Sequence, residues 1–386
     1  MKPINIIRVL LIKLFFLSGL FTVDYIYCSS SEIDNSKIKG IWTEIKNEEL
    51  ESWEQKEKYL NESWKQDREK EKREWVELKN SVEQKWLDFV ASTKRTWVEY
   101  DKTLDTRSRV DFKAGKIVVE TTVPVQESES EKKAKFKIAR QLKKILGKEN
   151  ILKKKLLEKQ IVNKQGKTIE DKGLDKFITD EVLPSVRGEN KVYKAKDNVR
   201  RKKYKATIAM VPNHIRIRAS KYVPLVQENA REFHLYPQLI MAIIHTESYF
   251  NPLAVSTCGA IGLMQIIPEQ AGRESYSYLF GKDKIVTREY LYDPHHNIKL
   301  GSAYLHLLKN IHFNEVKDPI KNRYISICGY NWGPTAVRDK ILKRYFLEKI
   351  SRLELYNLLN KNVPRETRFY LQNVKKRITL YDSLFI

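Results

Sequence analysis

One glutamate lies where a carboxyl can do acid chemistry. Residues 239–244 are apolar without interruption, which predicts a helix buried on nearly every face, and Glu247 follows at its end, before Pro252. Burial disfavours the charged form of a carboxyl and raises its pKa. A group that donates a proton to a glycosidic oxygen near neutral pH needs such a raised pKa, so Glu247 is the candidate general acid.

Glu247 alone is weak evidence, because most glutamates near a helix end are ordinary solvated residues. Several short blocks around it form a more specific pattern. They are Glu247-Ser248, Asn251-Pro252, Ser256, Gly262-Leu263-Met264-Gln265, Asp293-Pro294, Tyr330-Asn331, Gly333 and Glu366-Thr367-Arg368 with Tyr370. Together they cover residues 215–375 and resemble the soluble lytic transglycosylase domain, which is related in fold to goose-type lysozyme.

This resemblance implies a mainly α protein with a lysozyme-like, all-helical catalytic domain. Glu247 would protonate the oxygen between N-acetylmuramic acid and N-acetylglucosamine. It would then take the proton of the muramoyl 6-hydroxyl as a 1,6-anhydro ring closes. Ser256 would hydrogen-bond Glu247 or the N-acetyl group of the substrate. The other substrate-binding residues implied are Met264, Gln265, Tyr330, Asn331 and Tyr370.

Two other functions stay open at this point. A lysozyme-like hydrolase of the same bond would need a second carboxylate to activate water. The nearest in sequence, Glu269 and Asp293, are typical of helix starts instead. A non-catalytic wall-binding scaffold would use the N-terminal segment and keep the catalytic domain as an inert module.

No cofactor or metal is expected. Adjacent His295 and His296 point in different directions on a helix, and no further residue completes a set of ligands. Of the three cysteines, Cys258 and Cys328 do not form a disulfide framework, and the sequence leaves open whether they pair.

The segment before the catalytic domain has a different pattern. Tryptophan recurs at every eleventh position, at Trp42, Trp53, Trp64, Trp75, Trp86 and Trp97. Eleven residues overshoot three helical turns by only about 20°, so the spacing predicts one helix that holds all six rings on one face. This helix would pack on a neighbour, or act as a spacer between a membrane anchor and the catalytic domain.

A small α+β domain is predicted to follow this helix. Strands are predicted at residues 109–112, 116–123 and 205–211, a helix at 129–146, and a loop or mobile connection at 187–203. Residues 107–121 are similar to the N-terminal domain of the membrane-bound lytic murein transglycosylase C family, whose members are lipid-anchored.

The predicted organisation has four parts. They are a signal peptide or signal anchor at 1–28, a charged helical segment at 29–100, the α+β domain at 101–213 and the catalytic domain at 214–386. In the leader, basic residues precede a short apolar run at 14–23, as in an export signal.

Two localisations are expected, and they differ in whether Cys28 is acylated. As the acylated first residue of a lipoprotein, it would hold the chain on the periplasmic face of the outer membrane. The alternative is an uncleaved signal anchor in the inner membrane, with the rest of the chain in the periplasm.

The net charge of +23 suits an anionic wall polymer, or it reflects the drift of composition toward lysine. No nucleic-acid-binding motif accompanies the charge, so no nucleic-acid partner is expected. The expected partners are peptidoglycan glycan strands and the membrane, with the chain as a monomer.

Overall fold

The computed structural model describes residues 35–385, which form a long helix, a small sheet domain and a larger helical domain. The helices are α1 (Asn35–Glu83), α2 (Ser130–Leu146), α3 (Asp171–Phe177), α4 (His214–Ser220), α5 (Val223–Glu232), α6 (Pro237–Ser248), α7 (Arg273–Phe280), α8 (Arg288–Tyr292), α9 (Pro294–Leu307), α10 (Pro319–Trp332), α11 (Pro334–Val337), α12 (Arg352–Asn362) and α13 (Arg365–Ile378). The strands are β1 (Thr96–Tyr100), β2 (Thr106–Asp111), β3 (Lys116–Pro124), β4 (Arg187–Lys194) and β5 (Arg200–Ala209). This architecture confirms the predicted mainly α fold class.

The long helix α1 is shorter than the tryptophan spacing predicts. It ends at Glu83, so the prediction of one helix holding all six tryptophans is wrong for Trp86 and Trp97. Trp86 is buried, and its indole N–H donates to the Leu104 carbonyl at 2.8 Å. Trp97 lies in β1 opposite Val110. Packing of these two rings in the sheet domain outweighs the helix propensity of the surrounding sequence.

The five strands form one antiparallel sheet in the order β1-β2-β3-β5-β4. Helix α2 packs against β3 and buries Ile138, Leu142 and Ile145 on one of its faces. Those residues are spaced by four and three positions, which places them on one side of a helix. The predicted helix at 129–146 is therefore confirmed.

The charged residues 187–203 were predicted to form a loop, and this prediction is wrong. They contain β4 and the start of β5. Strand β4 lies at the edge of the sheet, where charged side chains reach solvent while the backbone pairs with β5. The Tyr193 hydroxyl donates to the Lys85 carbonyl at 2.9 Å, which ties this edge to the chain that follows α1.

Residues 214–385 are helical, as predicted, and α6 lies at the centre of this domain. Every residue of α6 from Leu239 to Ser248 is buried. Helices α5 and α13 pack against it. The uninterrupted apolar stretch of the sequence thus becomes a helix surrounded by protein.

Arg218 of α4 joins the two domains. Its side chain is 2% exposed and donates to the carbonyls of Phe112 (2.7 Å) in the sheet domain and Tyr249 (3.0 Å) just beyond α6. It also donates to the Gln160 side chain. No carboxylate pairs with it among the described residues, and burial lowers its pKa to about 10, so the guanidinium keeps its charge at neutral pH.

None of the helices within residues 35–385 is both long and apolar enough to cross a membrane. The apolar run at 14–23 and Cys28 lie outside the described residues. Cys258 is exposed and Cys328 is buried, and the two are not bonded to each other.

Replacing Arg218 with methionine is expected to lower the free energy of unfolding by about 3 kcal/mol, because buried oxygen acceptors lose a charged donor. Chemical denaturation of the full chain measures this change. The matched control is Arg216→Met on the same helix, since Arg216 is exposed and its guanidinium donates only to the Ser383 hydroxyl among the contacts described. A change within about 0.5 kcal/mol is expected for the control. An equal loss of unfolding free energy in both variants would contradict the conclusion that Arg218 stabilises the contact between the two domains.

Candidate active site

Glu247 lies in the last turn of α6, and its side chain is only 7% exposed. Burial raises its pKa from the ordinary 4.5 to about 7. Near neutral pH, Glu247 therefore exists in both protonated and ionised forms. A group balanced in this way can donate a proton in one step and accept one in the next.

Charged side chains from both domains adjust the pKa of Glu247. Lys94 and Arg95 precede β1 in the sheet domain, and their positive charges lower it. Glu366 of α13 raises it by its negative charge. Lys94 itself is half-buried. The site thus lies where the two domains meet, with cations from one facing an acid of the other.

Two tyrosines accompany Glu247, the buried Tyr370 and the half-buried Tyr330. Burial is the main cause that raises the pKa of both Tyr330 and Tyr370, and the nearby charge of Glu247 adds to it. The Tyr330 hydroxyl donates to the Met264 carbonyl at 2.8 Å. The Tyr370 hydroxyl interacts with Glu247, lowers the pKa of that carboxyl, and has no other partner among the described residues. Asn331, beside Tyr330, accepts a hydrogen bond from the Thr367 hydroxyl at 2.7 Å.

The loop that follows α6 carries the other residues predicted for the site. The Ser256 hydroxyl accepts from the Ala260 amide at 3.0 Å, so it braces the loop and forms no hydrogen bond with Glu247. Gln265 has a left-handed φ of 51° and donates from its side-chain amide to the Gly262 carbonyl at 3.0 Å. Its side-chain oxygen is buried without a partner among the described residues, which leaves it free to accept a hydrogen bond.

Met264 connects this loop to the rest of the domain through its backbone. Its amide donates to Asn297 Oδ1 at 2.8 Å, and its side chain is fully buried next to Gly301. Asn297 also donates to the carbonyls of Ile261 (2.9 Å) and Leu291 (2.8 Å), so one buried amide holds three backbone groups. The loop is therefore a fixed wall of the site.

The backbone directly after Glu247 is strained. Tyr249 and Phe250 have φ of 52° and 61°, a left-handed region that side chains other than glycine rarely occupy. Arg218 holds this turn through the Tyr249 carbonyl, and Arg377 of α13 donates to the hydroxyls of Thr246 (2.8 Å) and Tyr249 (3.0 Å). The two arginines thus fix the end of α6 that carries Glu247.

Sequence reasoning missed Lys94, Arg95 and Arg377. Lys94 and Arg95 reach Glu247 from another domain, and no local pattern distinguishes them from the other cations of a strongly basic chain. Arg377 lies in the basic last turn of α13, which on sequence alone is typical of an ordinary helix end.

Comparisons with known proteins define the class to which this arrangement belongs. Residues 224–352 match the family model of the transglycosylase SLT domain. Residues 54–221 match the family model of the membrane-bound lytic murein transglycosylase C N-terminal domain. The chain thus combines a transglycosylase domain with an N-terminal domain specific to one membrane-bound group.

Full-length relatives identify the family. Membrane-bound lytic murein transglycosylase C of Salmonella arizonae is 32% identical over 302 residues, which cover 73% of this chain and 81% of the relative. The protein of the same name from Actinobacillus succinogenes is 31% identical over 288 residues, covering 72% and 79%. The chain belongs to the membrane-bound lytic murein transglycosylase C family, and the resemblance seen in the sequence is confirmed.

Solved structures of lytic transglycosylases match the chain in part. The 70 kDa soluble lytic transglycosylase of Escherichia coli matches with 27% identity and a TM-score of 0.35, over 42% of this chain and 24% of that one. The lytic transglycosylase Slt of Pseudomonas aeruginosa matches with 30% identity and a TM-score of 0.34 over the same shares. The match spans about a quarter of the length of each of these two proteins.

Proposed function

We propose that this chain is a peptidoglycan lytic transglycosylase with Glu247 as its single catalytic carboxyl. It cleaves the β-1,4 bond between N-acetylmuramic acid and N-acetylglucosamine without water and leaves 1,6-anhydro-muramoyl ends. The observation that carries this proposal is the burial of Glu247, with a pKa of about 7, at the junction of the two domains. Membership of the family supports the same reaction.

The reaction needs one group that gives a proton and takes one back. Protonated Glu247 donates to the bridging oxygen as the bond from that oxygen to the muramoyl anomeric carbon breaks. The muramoyl 6-hydroxyl oxygen then bonds to the anomeric carbon, and its proton returns to Glu247. No water is consumed, and the enzyme is restored. A pKa of about 7 suits both halves, because neither form of the carboxyl is strongly disfavoured near neutral pH.

The neighbouring side chains have supporting parts in this proposal. The Tyr370 hydroxyl stabilises the ionised form of Glu247 after its proton has left. The free side-chain oxygen of Gln265 accepts a hydrogen bond from the sugar. Ser256, Tyr330 and Asn331 complete the substrate-binding set, the first on the loop after α6 and the others at the end of α10. Met264, whose side chain is fully buried, supports this set through its backbone, which holds the Tyr330 hydroxyl and the loop.

A hydrolase of the same bond is the second candidate, because one further carboxylate influences Glu247. Glu366 is exposed, and its negative charge contributes to the raised pKa of Glu247. A carboxylate in that position could activate a water molecule for attack. The two reactions leave different ends, which are anhydro ends for the transglycosylase and reducing ends for the hydrolase.

The location of the enzyme follows from the leader and the family. The relatives are named membrane-bound, which supports association of this chain with a membrane. We infer a monomer on the periplasmic face of the outer membrane, anchored by lipid on Cys28, with an inner-membrane signal anchor as the alternative. Metabolic labelling with a radioactive fatty acid, compared with Cys28→Ala, separates the two anchors.

Replacing Glu247 with glutamine is expected to abolish the release of anhydro fragments, a loss of roughly 10²–10⁴-fold, since no proton donor remains at the bond. The full chain, purified in detergent, is incubated with purified peptidoglycan, and the released fragments are analysed by mass spectrometry. Release of reducing ends in place of anhydro ends by the wild type would refute the transglycosylase proposal. Binding to the wall without fragments would favour a scaffold.

The matched control is Glu366→Gln, the same change in the neighbouring carboxyl. A transglycosylase is expected to keep releasing anhydro ends in this variant, because water needs no activation. Loss of activity equal to that of Glu247→Gln would point instead to a two-carboxylate hydrolase.

Replacing Lys94 with methionine is expected to move the high-pH limit of activity to higher pH. Glu247 acts in its protonated form, so activity falls as pH rises through its pKa of about 7. The charge of Lys94 lowers this pKa, and its removal raises the value and extends the protonated form upward. Rates of fragment release are measured across the pH range, with Lys94→Arg as the charge-retaining control. A shift to lower pH, or the same shift in both variants, would refute the role assigned to Lys94.

A further inference from the structure

A groove runs between α1 and the helical domain. One wall consists of α1 side chains, among them Arg68, Lys72 and Trp75, and the opposite wall is the loop from Val255 to Gly259. Ala91 and Ser92 also line it. Its volume of about 800 Å³ lies within the range of pockets that bind small ligands or sugars.

The α1 wall is held against the helical domain by specific contacts. Glu71 of α1 forms an ion pair with Arg288 of α8 at 2.7 Å. Arg68 lies so close to Gly259 that a Cβ there would be 2.9 Å from its guanidinium nitrogen, and Gly259 has a φ of +82°. This part of α1 is therefore docked on the domain, and the spacer suggested by its sequence is not free along its whole length.

Trp75 is the large aromatic side chain of this groove, and much of it faces solvent. Its ring meets Phe89 at right angles, with 5.2 Å between centroids, and Lys79 lies 5.8 Å from its centre. Despite these contacts, 48% of the side chain is exposed. A tryptophan fixed in position but half-exposed in a groove offers apolar area to a ligand.

Two segments that line the groove also contribute residues to the proposed active site. Ser256, placed in the substrate-binding set, lines the groove. The segment that lines it at Ala91 and Ser92 continues to Lys94, whose charge acts on Glu247. The groove therefore lies beside segments that reach the Glu247 site, where a long polymer bound at Glu247 would meet it.

The charges of the groove favour a neutral occupant. Three cations and three carboxylates line the groove, so their charges balance. The cations are Arg68, Lys72 and Arg288, and the carboxylates are Glu69, Glu71 and Glu74. A polyanion would meet as much repulsion as attraction there. A sugar ring has apolar C–H faces and polar hydroxyl edges, which match an aromatic face surrounded by charged and polar groups.

We propose that the groove between α1 and the 255–259 loop binds the glycan strand away from the cleaved bond, with Trp75 as the platform on which a sugar ring stacks. This inference rests on the proposed function, because it assigns an additional contact to the same substrate. Binding energy from such a remote contact helps to hold the strand in register at Glu247.

Binding of neutral N-acetylglucosamine oligomers tests the proposal. The full chain carries Glu247→Gln to prevent turnover, and affinities for a dimer and an octamer are measured by calorimetry. Trp75→Ala is expected to weaken octamer binding about tenfold, which corresponds to about 1.4 kcal/mol for a stacked aromatic, and to leave dimer binding unchanged. Trp75→Phe is expected to retain most of the affinity. Unchanged octamer affinity in Trp75→Ala, or an equal loss for both oligomers, overturns the proposal.

Two further variants separate the groove from a general effect on folding. Tyr59→Ala removes an aromatic from the same helix that is 71% exposed, and it is expected to change neither affinity. Ala91→Trp fills the groove while Trp75 is intact, and it is expected to reproduce the octamer loss. Full octamer affinity in Ala91→Trp contradicts the proposal.

Product analysis of the chain with native Glu247 keeps the two proposals distinguishable. If anhydro ends are absent and octamer binding depends on Trp75, the proposed transglycosylase mechanism is refuted and the proposed glycan groove is supported. If anhydro ends are released and octamer binding does not depend on Trp75, the proposed mechanism is supported and the proposed groove is refuted.

Discussion

Withdrawal of the Glu247 carboxyl from water is the constraint on which the rest of the structure depends. The carboxyl can hold a proton near neutral pH only because α6 is buried on every side, and this requires helices packed around it. The cations that limit the rise in pKa come from the sheet domain. The acid is therefore a property of the assembled protein, and neither α6 nor the helical domain alone supplies its full environment.

The junction between the domains extends this dependence to the backbone. Arg218 contributes charged hydrogen bonds to the carbonyls of Phe112 and Tyr249, one in each domain. The second of these carbonyls belongs to the left-handed turn directly after Glu247. A change in the packing of the two domains would thus reach the end of α6 that carries Glu247 through the buried Arg218 side chain, and through Arg95, which lies over the Tyr249 ring. Strain of this kind persists only where surrounding contacts fix it.

The sequence revealed the parts of the site that local pattern determines. The apolar run before Glu247 predicted a buried helix and a raised pKa, and both are present. The strand β4 was missed because its charged residues are typical of a loop until an edge position in a sheet gives them solvent. Lys94 was missed for a related reason, since its effect on Glu247 depends on the domain interface.

The tryptophan repeat shows the limit of periodicity most clearly. A spacing of eleven fits a helix at all six positions, yet the helix ends before the last two. The spacing predicts which residues share a face if a helix forms. It does not predict the residue at which tertiary contacts end that helix. Trp86 and Trp97 bury their rings in the sheet domain, whereas Trp75 stays half-exposed on α1. Three rings with the same spacing thus have different environments.

The docking of α1 has a consequence for the range over which the enzyme can act. The helix before Arg68, residues 35–67, spans roughly 50 Å at about 1.5 Å per residue. A helix fixed to the catalytic domain at one end does not swivel as a flexible tether does. If the other end of α1 leads to the proposed membrane anchor, the helix holds the cleft at a fixed distance from the membrane and in a fixed orientation. An enzyme anchored in the proposed way would reach the wall only at that distance from the membrane, and the number of eleven-residue repeats would set the distance.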